Sequence, residues 1–553
     1  MGLACSKKQR REEEEDGGAP IVRLSPFRPR RLLSRSRSLP PTLSQCLWEG
    51  LVGCGQLDDA AVLKLSGLGL HFFRLPLGAY PERVQPSWLR CLSTPSLEAA
   101  DLSKTEASGM DEVLASLGPT PHLAQLCLDY CVDLTDGGLA LLQGMTSLEE
   151  LSLAGCELLT AVGMGHLRGL TRLRRLSLQT CHQISLAPLA QLRQLEQLDV
   201  GWCSSLDDSD AQVTDHGLAC LHSLGQLRAL NLAGVRVSDE ALAALLRHLP
   251  HLRALNLERC LQAGDASLAA VSQRALQLRE LHLGYTAVSD RGLLLLGGLT
   301  QLHVLSLENC SVGDGGLAVL SHLTQMRQLD LSDTSASNET MSTVAAMRQL
   351  ECLNLSFTGV NDLGLKRLRR LSSLRCLNLD SRHFTDAGMV SVAQLAGLEC
   401  LDLFGARIGD AGCASLSKLK NLRRLEVCGG GVTDAGVAHL VALTRLQHLS
   451  LAQASACWGS CTLPNYRVSN SCILHLIKLN ELMALNLSQA CACTTQNLHR
   501  CRVTSNSVVA LGCLPKLQTL ALYETRVKPF AVDKLLAANP DLCVQGVAPT
   551  GSA

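Results

Sequence analysis

Leu398-Glu399-Cys400-Leu401-Asp402-Leu403-Phe404-Gly405-Ala406-Arg407-Ile408-Gly409-Asp410-Ala411-Gly412 reads as a Leu-x-x-Leu-x-Leu core, a turn, and an aspartate ahead of an amphipathic segment. The same order surrounds Leu302/Leu305/Leu307, Leu350/Leu353/Leu355 and Leu374/Leu377/Leu379, and recurs far upstream at Leu123/Leu126/Leu128 and Leu148/Leu151/Leu153. From Leu302 through Met326, Leu350, Leu374, Leu398 and Leu422 to Leu446 the spacing is 24 residues without a slip. Sixteen clear copies run from Leu123 to Leu522, and two weaker ones precede them at Leu70/Phe73/Leu75 and Leu97/Ala100/Leu102. Alternate leucines of a short strand point to one face. One strand and one helix cannot bury that face alone, so the copies must stack.

The period falls within the roughly 20 to 29 residues of leucine-rich repeats. The expected fold is therefore an α/β leucine-rich-repeat solenoid, curved, with a parallel sheet on the concave side and helices outside. Residues 123–525 form the solenoid in this reading, 57–122 its degenerate first repeats, and 526–553 a C-terminal cap and tail. Residues 1–35 read as a disordered basic tail and 36–56 as a short separate helix. Asp136, Asp215, Asp239, Asp290, Asp314, Asp362, Asp386, Asp410 and Asp434 stand where each helix begins. A carboxylate there accepts unpaired N–H groups of the first turn, so these residues read as N-caps rather than catalytic acids.

Balanced charge, 50 Lys plus Arg against 50 Asp plus Glu, gives no global field that favours nucleic acid. The 25 cysteines sit in a long chain without an apolar signal segment, which predicts reduced thiols rather than a disulfide framework. Cys131, Cys156, Cys181, Cys203, Cys260 and Cys310 each stand three residues after the last strand leucine or, for Cys203, after Val200 in its place, a position for a small buried side chain. No phosphate-binding loop, nucleophile elbow or His-Glu-x-x-His occurs; Cys428-Gly429-Gly430-Gly431 lacks the following Lys-Ser/Thr and reads as a turn. The chain is thus expected to be no enzyme and to need no cofactor. Longer intervals after Leu446 and Leu482 hold Cys457, Cys461, Cys491 and Cys493. Four thiolates meet the ligand count of tetrahedral zinc, but the spacing matches no standard zinc module, and free loop thiols are the reading preferred here.

Met1-Gly2-Leu3-Ala4-Cys5-Ser6 fits the acceptor pattern for myristoylation of Gly2, with Cys5 placed for palmitoylation. One myristoyl chain binds bilayers only marginally, so the second acyl chain or the arginines between Arg10 and Arg37 would complete an anchor on an anionic membrane surface. The expected location is cytoplasmic, at the inner face of a membrane when lipidated.

Leu39-Pro40 opens a segment with Leu43, Leu47 and Leu51 four residues apart, one apolar helical stripe. With the cysteine-containing repeats that follow, the chain resembles the F-box/leucine-rich-repeat family. The likeness is closest to plant and green-algal members that begin Met-Gly-x-x-Cys-Ser, and extends into Gly78-Ala79-Tyr80-Pro81, Ser87-Trp88-Leu89 and Gly201-Trp202-Cys203. The resemblance implies that Leu39, Pro40, Leu43, Leu47 and Leu51 dock on the adaptor of a cullin ubiquitin ligase, making the chain its substrate receptor. The later part of a full F-box is missing, and a helix that caps the first repeat is the alternative. The competing function is a membrane-anchored repeat scaffold or signalling regulator without a ligase.

Residues between and just after the inward leucines are expected on the concave face. Tyr130, Trp202, Tyr285, Phe357, Phe404 and Tyr523 occupy such positions, as do Glu308, Asp330, Asp333, Asp380, Asp402 and Glu426. Aromatic anchors amid carboxylates predict a protein partner with a basic segment.

Overall fold

The computed structural model describes residues 72–74, 97–104, 109–117, 120–203, 215–428, 430–452, 469–488, 504–523, 525 and 527–547. Gly2, Cys5, the stripe Leu39, Pro40, Leu43, Leu47 and Leu51, and the thiols Cys457, Cys461, Cys491 and Cys493 lie outside them.

Among the described residues nineteen three-residue strands form one sheet, from β1 (Phe72–Arg74) and β2 (Ala99–Asp101) to β19 (Cys543–Gln545), each parallel to the next in chain order. The register follows the leucines: Leu305, Leu329, Leu353, Leu377, Leu401, Leu425 and Leu449 are successive partners. These central leucines and the flanking ones, such as Leu302 and Leu307, are buried in one continuous core. The two weak early copies join the same ladder through Phe73, Ala100 and Leu126. The expected α/β leucine-rich-repeat solenoid is the observed fold.

The longer intervals leave the ladder unbroken, since Leu198 pairs with Leu230, Leu449 with Leu485, and Leu485 with Leu520. Beyond residue 525 the chain adds helix Pro529–Ala538 and the last strand, which pairs Leu520 with Val544. The C-terminal segment, expected as a cap and tail, therefore adds one more strand to the sheet.

The helices are short, as in Asp362–Leu368 and Asp434–Leu440, or one α turn running into a 3-10 turn, as in Asp290–Leu293 followed by Leu294–Gly298. Helices of this length are unstable alone, so stacking must hold them. The aspartates supply part of that hold, in a role the sequence reading assigned differently. The N-cap is the preceding residue: Thr135, Ser289, Thr385 and Thr433 each accept a first-turn N–H through the side-chain oxygen. The aspartate is the first helical residue, and its carboxylate reaches into the next repeat.

There it accepts both the backbone N–H and the hydroxyl of that repeat's N-cap. Asp136 holds Thr160 (2.9 and 2.5 Å), Asp362 holds Thr385 (3.0 and 2.6 Å), and Asp410 holds Thr433 (2.8 and 2.7 Å). Three residues past that N-cap stands a glycine pressed on the same oxygen, where a Cβ on Gly163, Gly388 or Gly436 would overlap the Oδ1 of Asp136, Asp362 or Asp410. Where the glycine is absent, Ser267 and Thr340 take its place and donate their hydroxyls to Asp239 and Asp314. The Thr-Asp-x-Gly run is thus a clasp between repeats.

The six periodic cysteines make a second link. Their thiols donate to the last strand leucine of the preceding repeat, Cys131 to Leu102, Cys156 to Leu128, Cys181 to Leu153, Cys203 to Leu178, Cys260 to Leu232 and Cys310 to Leu283, at 2.9 to 3.3 Å. Burial raises Cys156, Cys181, Cys203 and Cys260 to about 12, which leaves them as inert thiols.

Candidate functional site

Side chains alternate along each strand, so the residues flanking the buried central leucine form two rows on the concave floor. The first row runs Glu280, Val304, Gln328, Cys352, Cys376, Cys400, Arg424 and His448; the second runs His282, Ser306, Asp330, Asn354, Asn378, Asp402, Glu426 and Ser450. Beside them, past the last strand leucine, stand Glu308 and Asp380. Over this stretch the rows carry Glu280, Glu308, Asp330, Asp380, Asp402 and Glu426 against the guanidinium of Arg424. His282, also on the floor, is pushed down by burial, which disfavours its charged form.

Several of these acids also shape the chain. Asp330 accepts the N–H and hydroxyl of Ser332 and a donor from Asn354, and Asp402 accepts the N–H of Phe404 at 2.9 Å. In neighbouring repeats asparagines do the same: Asn231 accepts from Ala233, Asn354 from Ser356 and Asn378 from Asp380. In these repeats an aspartate or an asparagine oxygen serves the turn alike, and the charge is an addition to it. Burial raises Asp330 from the usual carboxylate value.

The predicted aromatic anchors divide between floor and rim. Tyr130, Trp202, Tyr285 and Phe357 have φ of 57, 60, 58 and 55°, as does Asp333 with 55°. Strand alternation does not extend to them: each sits in the left-handed turn that ends its strand, donating its N–H across to the next repeat. They form a rim row beside the floor. Phe404 is half-buried on the floor edge, before the rim residue Gly405. Tyr130 and Phe357 are 44% and 55% exposed, enough to offer an apolar face to a partner.

Two rim rings lie over glycines. A Cβ on Gly155 would fall 2.5 Å from the Tyr130 ring and one on Gly234 would fall 2.6 Å from Trp202; both glycines have positive φ as well. Only glycine meets both demands. The guanidinium of Arg259 sits 3.9 Å from the Tyr285 ring centre and 6.0 Å from that of Trp202, and the Tyr285 hydroxyl donates to Glu308 at 2.9 Å. Rim and floor are joined there by a cation–π contact and a charge-assisted hydrogen bond.

Cys352, Cys376 and Cys400, not among the residues predicted from the sequence, lie side by side on the floor in the strand register. Their signal was a Cys-Leu-Asn/Asp-Leu run returning three times at the 24-residue period. Among the described residues no group of three or more His, Cys, Asp or Glu side chains is arranged to hold a metal ion, and no helix is long and apolar enough to cross a membrane.

A long parallel sheet of stacked leucine-bearing strands with helices outside it is the leucine-rich-repeat solenoid fold. Residues 299–538 match a family model described as a leucine-rich repeat region. Among solved structures the chain is similar to the mouse RP105/MD-1 complex, at 16% identity over 89% of each chain with a TM-score of 0.48. It is also similar to a leucine-rich-repeat protein of Leptospira interrogans, at 17% identity over 79% of this chain and 99% of that one, TM-score 0.44. An internalin of Listeria monocytogenes is similar at 19% identity over 67% and 90%, TM-score 0.40. No curated protein matches the chain.

Proposed function

We propose that the concave face captures a basic segment of a protein partner, and that the chain serves as the substrate receptor of a cullin-based ubiquitin ligase tethered to membrane. The observation that carries the first part is the run of floor carboxylates from Glu280 to Glu426, broken by Arg424 and bordered by the exposed ring of Phe357. Such a surface accelerates encounter with a cationic chain and discriminates against acidic ones. The ring supplies the apolar contact that electrostatics lack.

The ligase link rests on the F-box-like stripe Leu43, Leu47 and Leu51, and the tether on Gly2 and Cys5 with the basic tail. In this reading the chain selects the target and the partner complex supplies the chemistry. Affinity capture of the intact protein beside a Leu43→Asp, Leu47→Asp variant tests it. Cullin and adaptor bound only by the intact chain support the receptor role. An identical partner set without them means a membrane scaffold that uses the same concave face.

A further inference from the structure

Three thiols stand in one line on the concave floor. Cys352 pairs directly with Cys376, and Cys376 with Cys400, as first residues of adjacent parallel strands. All three are half-exposed, unlike the buried cysteines that donate to leucine carbonyls. Their neighbours in the row are Gln328 and Arg424, polar residues, so packing does not call for sulfur there.

In-register partners on adjacent strands lie about 4.8 Å apart. That falls inside the Cα separation of roughly 4.4 to 6.8 Å that a disulfide spans. A single tetrahedral ion is a poor fit to the same row: the outer thiols are roughly 9.6 Å apart, whereas two sulfurs at about 2.3 Å from one zinc are no more than about 4.6 Å apart.

We propose that Cys352 and Cys376 form a peroxide-reactive dithiol site on the concave face, with Cys352 attacking and Cys376 resolving. The thiolate of Cys352 attacks a hydroperoxide oxygen. The O–O bond breaks, the sulfur becomes a sulfenic acid, and the leaving alkoxide or hydroxide takes a proton from water. The Cys376 sulfur then attacks the sulfenic sulfur, forming the S–S bond and releasing water. Two thiols are oxidised by two electrons, and the hydroperoxide is reduced to an alcohol, or to water when it is hydrogen peroxide.

The order of roles follows from the line. Hydrogen bonding from Cys376 holds the Cys352 thiol below its ordinary range, whereas Cys376 is raised to about 11 and Cys400 is raised further by its own place in the chain of thiols and by burial. Cys352 is thus the one with most thiolate at neutral pH, and attack requires the thiolate.

The test uses the full-length reduced protein, hydrogen peroxide as the probe, alkylation of remaining thiols, and mass spectrometry of tryptic peptides. Cleavage after Arg348, Lys366, Arg375, Arg382 and Arg407 places the three cysteines on separate peptides. A Cys352–Cys376 crosslink that dithiothreitol removes is the expected product, formed at lower peroxide than oxidation of the exposed Cys513 and Cys543. Cys376→Ser should abolish it and leave a Cys352 sulfenic acid that dimedone traps, while Cys400→Ser should keep it. Reduced Cys352 and Cys376 at a dose that oxidises Cys513 would overturn the site, and a Cys376–Cys400 crosslink would overturn the assignment of roles. The readout is independent of partner binding, so it stands or falls apart from the proposed function.

Discussion

Replacing Gly436 by alanine sets helix propensity against the clasp between repeats. Gly436 lies inside Asp434–Leu440, where alanine ordinarily gains about 1 kcal/mol over glycine. Here the added Cβ would overlap Asp410 Oδ1 and approach Val432 Cγ1 to 3.0 Å. Val432 is buried, so the Asp410 carboxylate must move. It then weakens its bonds to the N–H and hydroxyl of Thr433, at 2.8 and 2.7 Å. Hydrogen bonds to a charged group contribute roughly 1.5 to 3 kcal/mol each, so losing both outweighs the propensity gain by about 2 to 5 kcal/mol. Hydrogen exchange over residues 432–440 reads the local opening free energy without assuming that a long solenoid unfolds in one step. Gly165→Ala is the control, since nothing lies within 4 Å of its added Cβ and its φ is −57°; it should be neutral or slightly stabilising. With Asp410 already replaced by alanine, Gly436→Ala should change stability by no more than about 1 kcal/mol, because the overlapping oxygen is gone. Gly436→Ala protection equal to or above wild type would refute the clasp.

Three other outcomes follow from the same geometry. Burial acts to raise Asp314, but hydrogen bonds from Ser337 and Thr340 outweigh it and hold the carboxyl below its ordinary value of 3.8. A depressed folded value means its contribution is complete above the unfolded pKa and is lost as pH falls through the folded one. Asp314→Asn should therefore flatten the acid limb of the stability profile below about pH 4 and be nearly pH-independent above about pH 5; an unchanged acid limb in thermal melts would contradict this. N-ethylmaleimide at pH 8 should label Cys513 and Cys543 while leaving Cys156, Cys181, Cys203 and Cys260 untouched until denaturant is added; native labelling of those four would show that their link to the preceding repeat opens readily. Arg259→Ala, which frees the Tyr285 and Trp202 rings of their cation, should lower thermal stability by about 1 kcal/mol or less, as expected for a half-exposed cation–π contact, and blue-shift or quench Trp202 fluorescence; identical emission would place the contact outside the native ensemble.

The leucine period made the solenoid readable because each copy repeats one simple demand, a strand with its apolar side turned inward. Even the weak copies at Phe73 and Ala100 joined the ladder. The role of the aspartates was not readable, because a carboxylate at a helix start can serve its own first turn or the next repeat. Local sequence favours the first, whereas stacking brings Thr433 to Asp410 and selects the second. The aromatic rim was partly legible. Position after the last leucine located Tyr130, Trp202, Tyr285 and Phe357 near the concave face, but the left-handed turn that lifts them to its edge depends on backbone pairing with the following repeat. Asp330 and Asp402 read as surface charge alone, and their service as turn acceptors emerges only beside the asparagines that replace them elsewhere. The row of Cys352, Cys376 and Cys400 was hidden by the more frequent cysteines of the core, which repeat at another position of the same period.

The most direct test of recognition through the concave face is capture of the bound partner by three proteins: the wild type, a Glu280→Lys, Asp402→Lys, Glu426→Lys variant, and a control with Glu112→Lys and Glu240→Lys in the exposed first turns of two helices. The account predicts that the concave variant loses the partner at least tenfold relative to wild type and control, that binding weakens as salt rises, and that the contact maps by crosslinking to a basic segment. Equal capture by all three, or loss with the helix-side control alone, would contradict it.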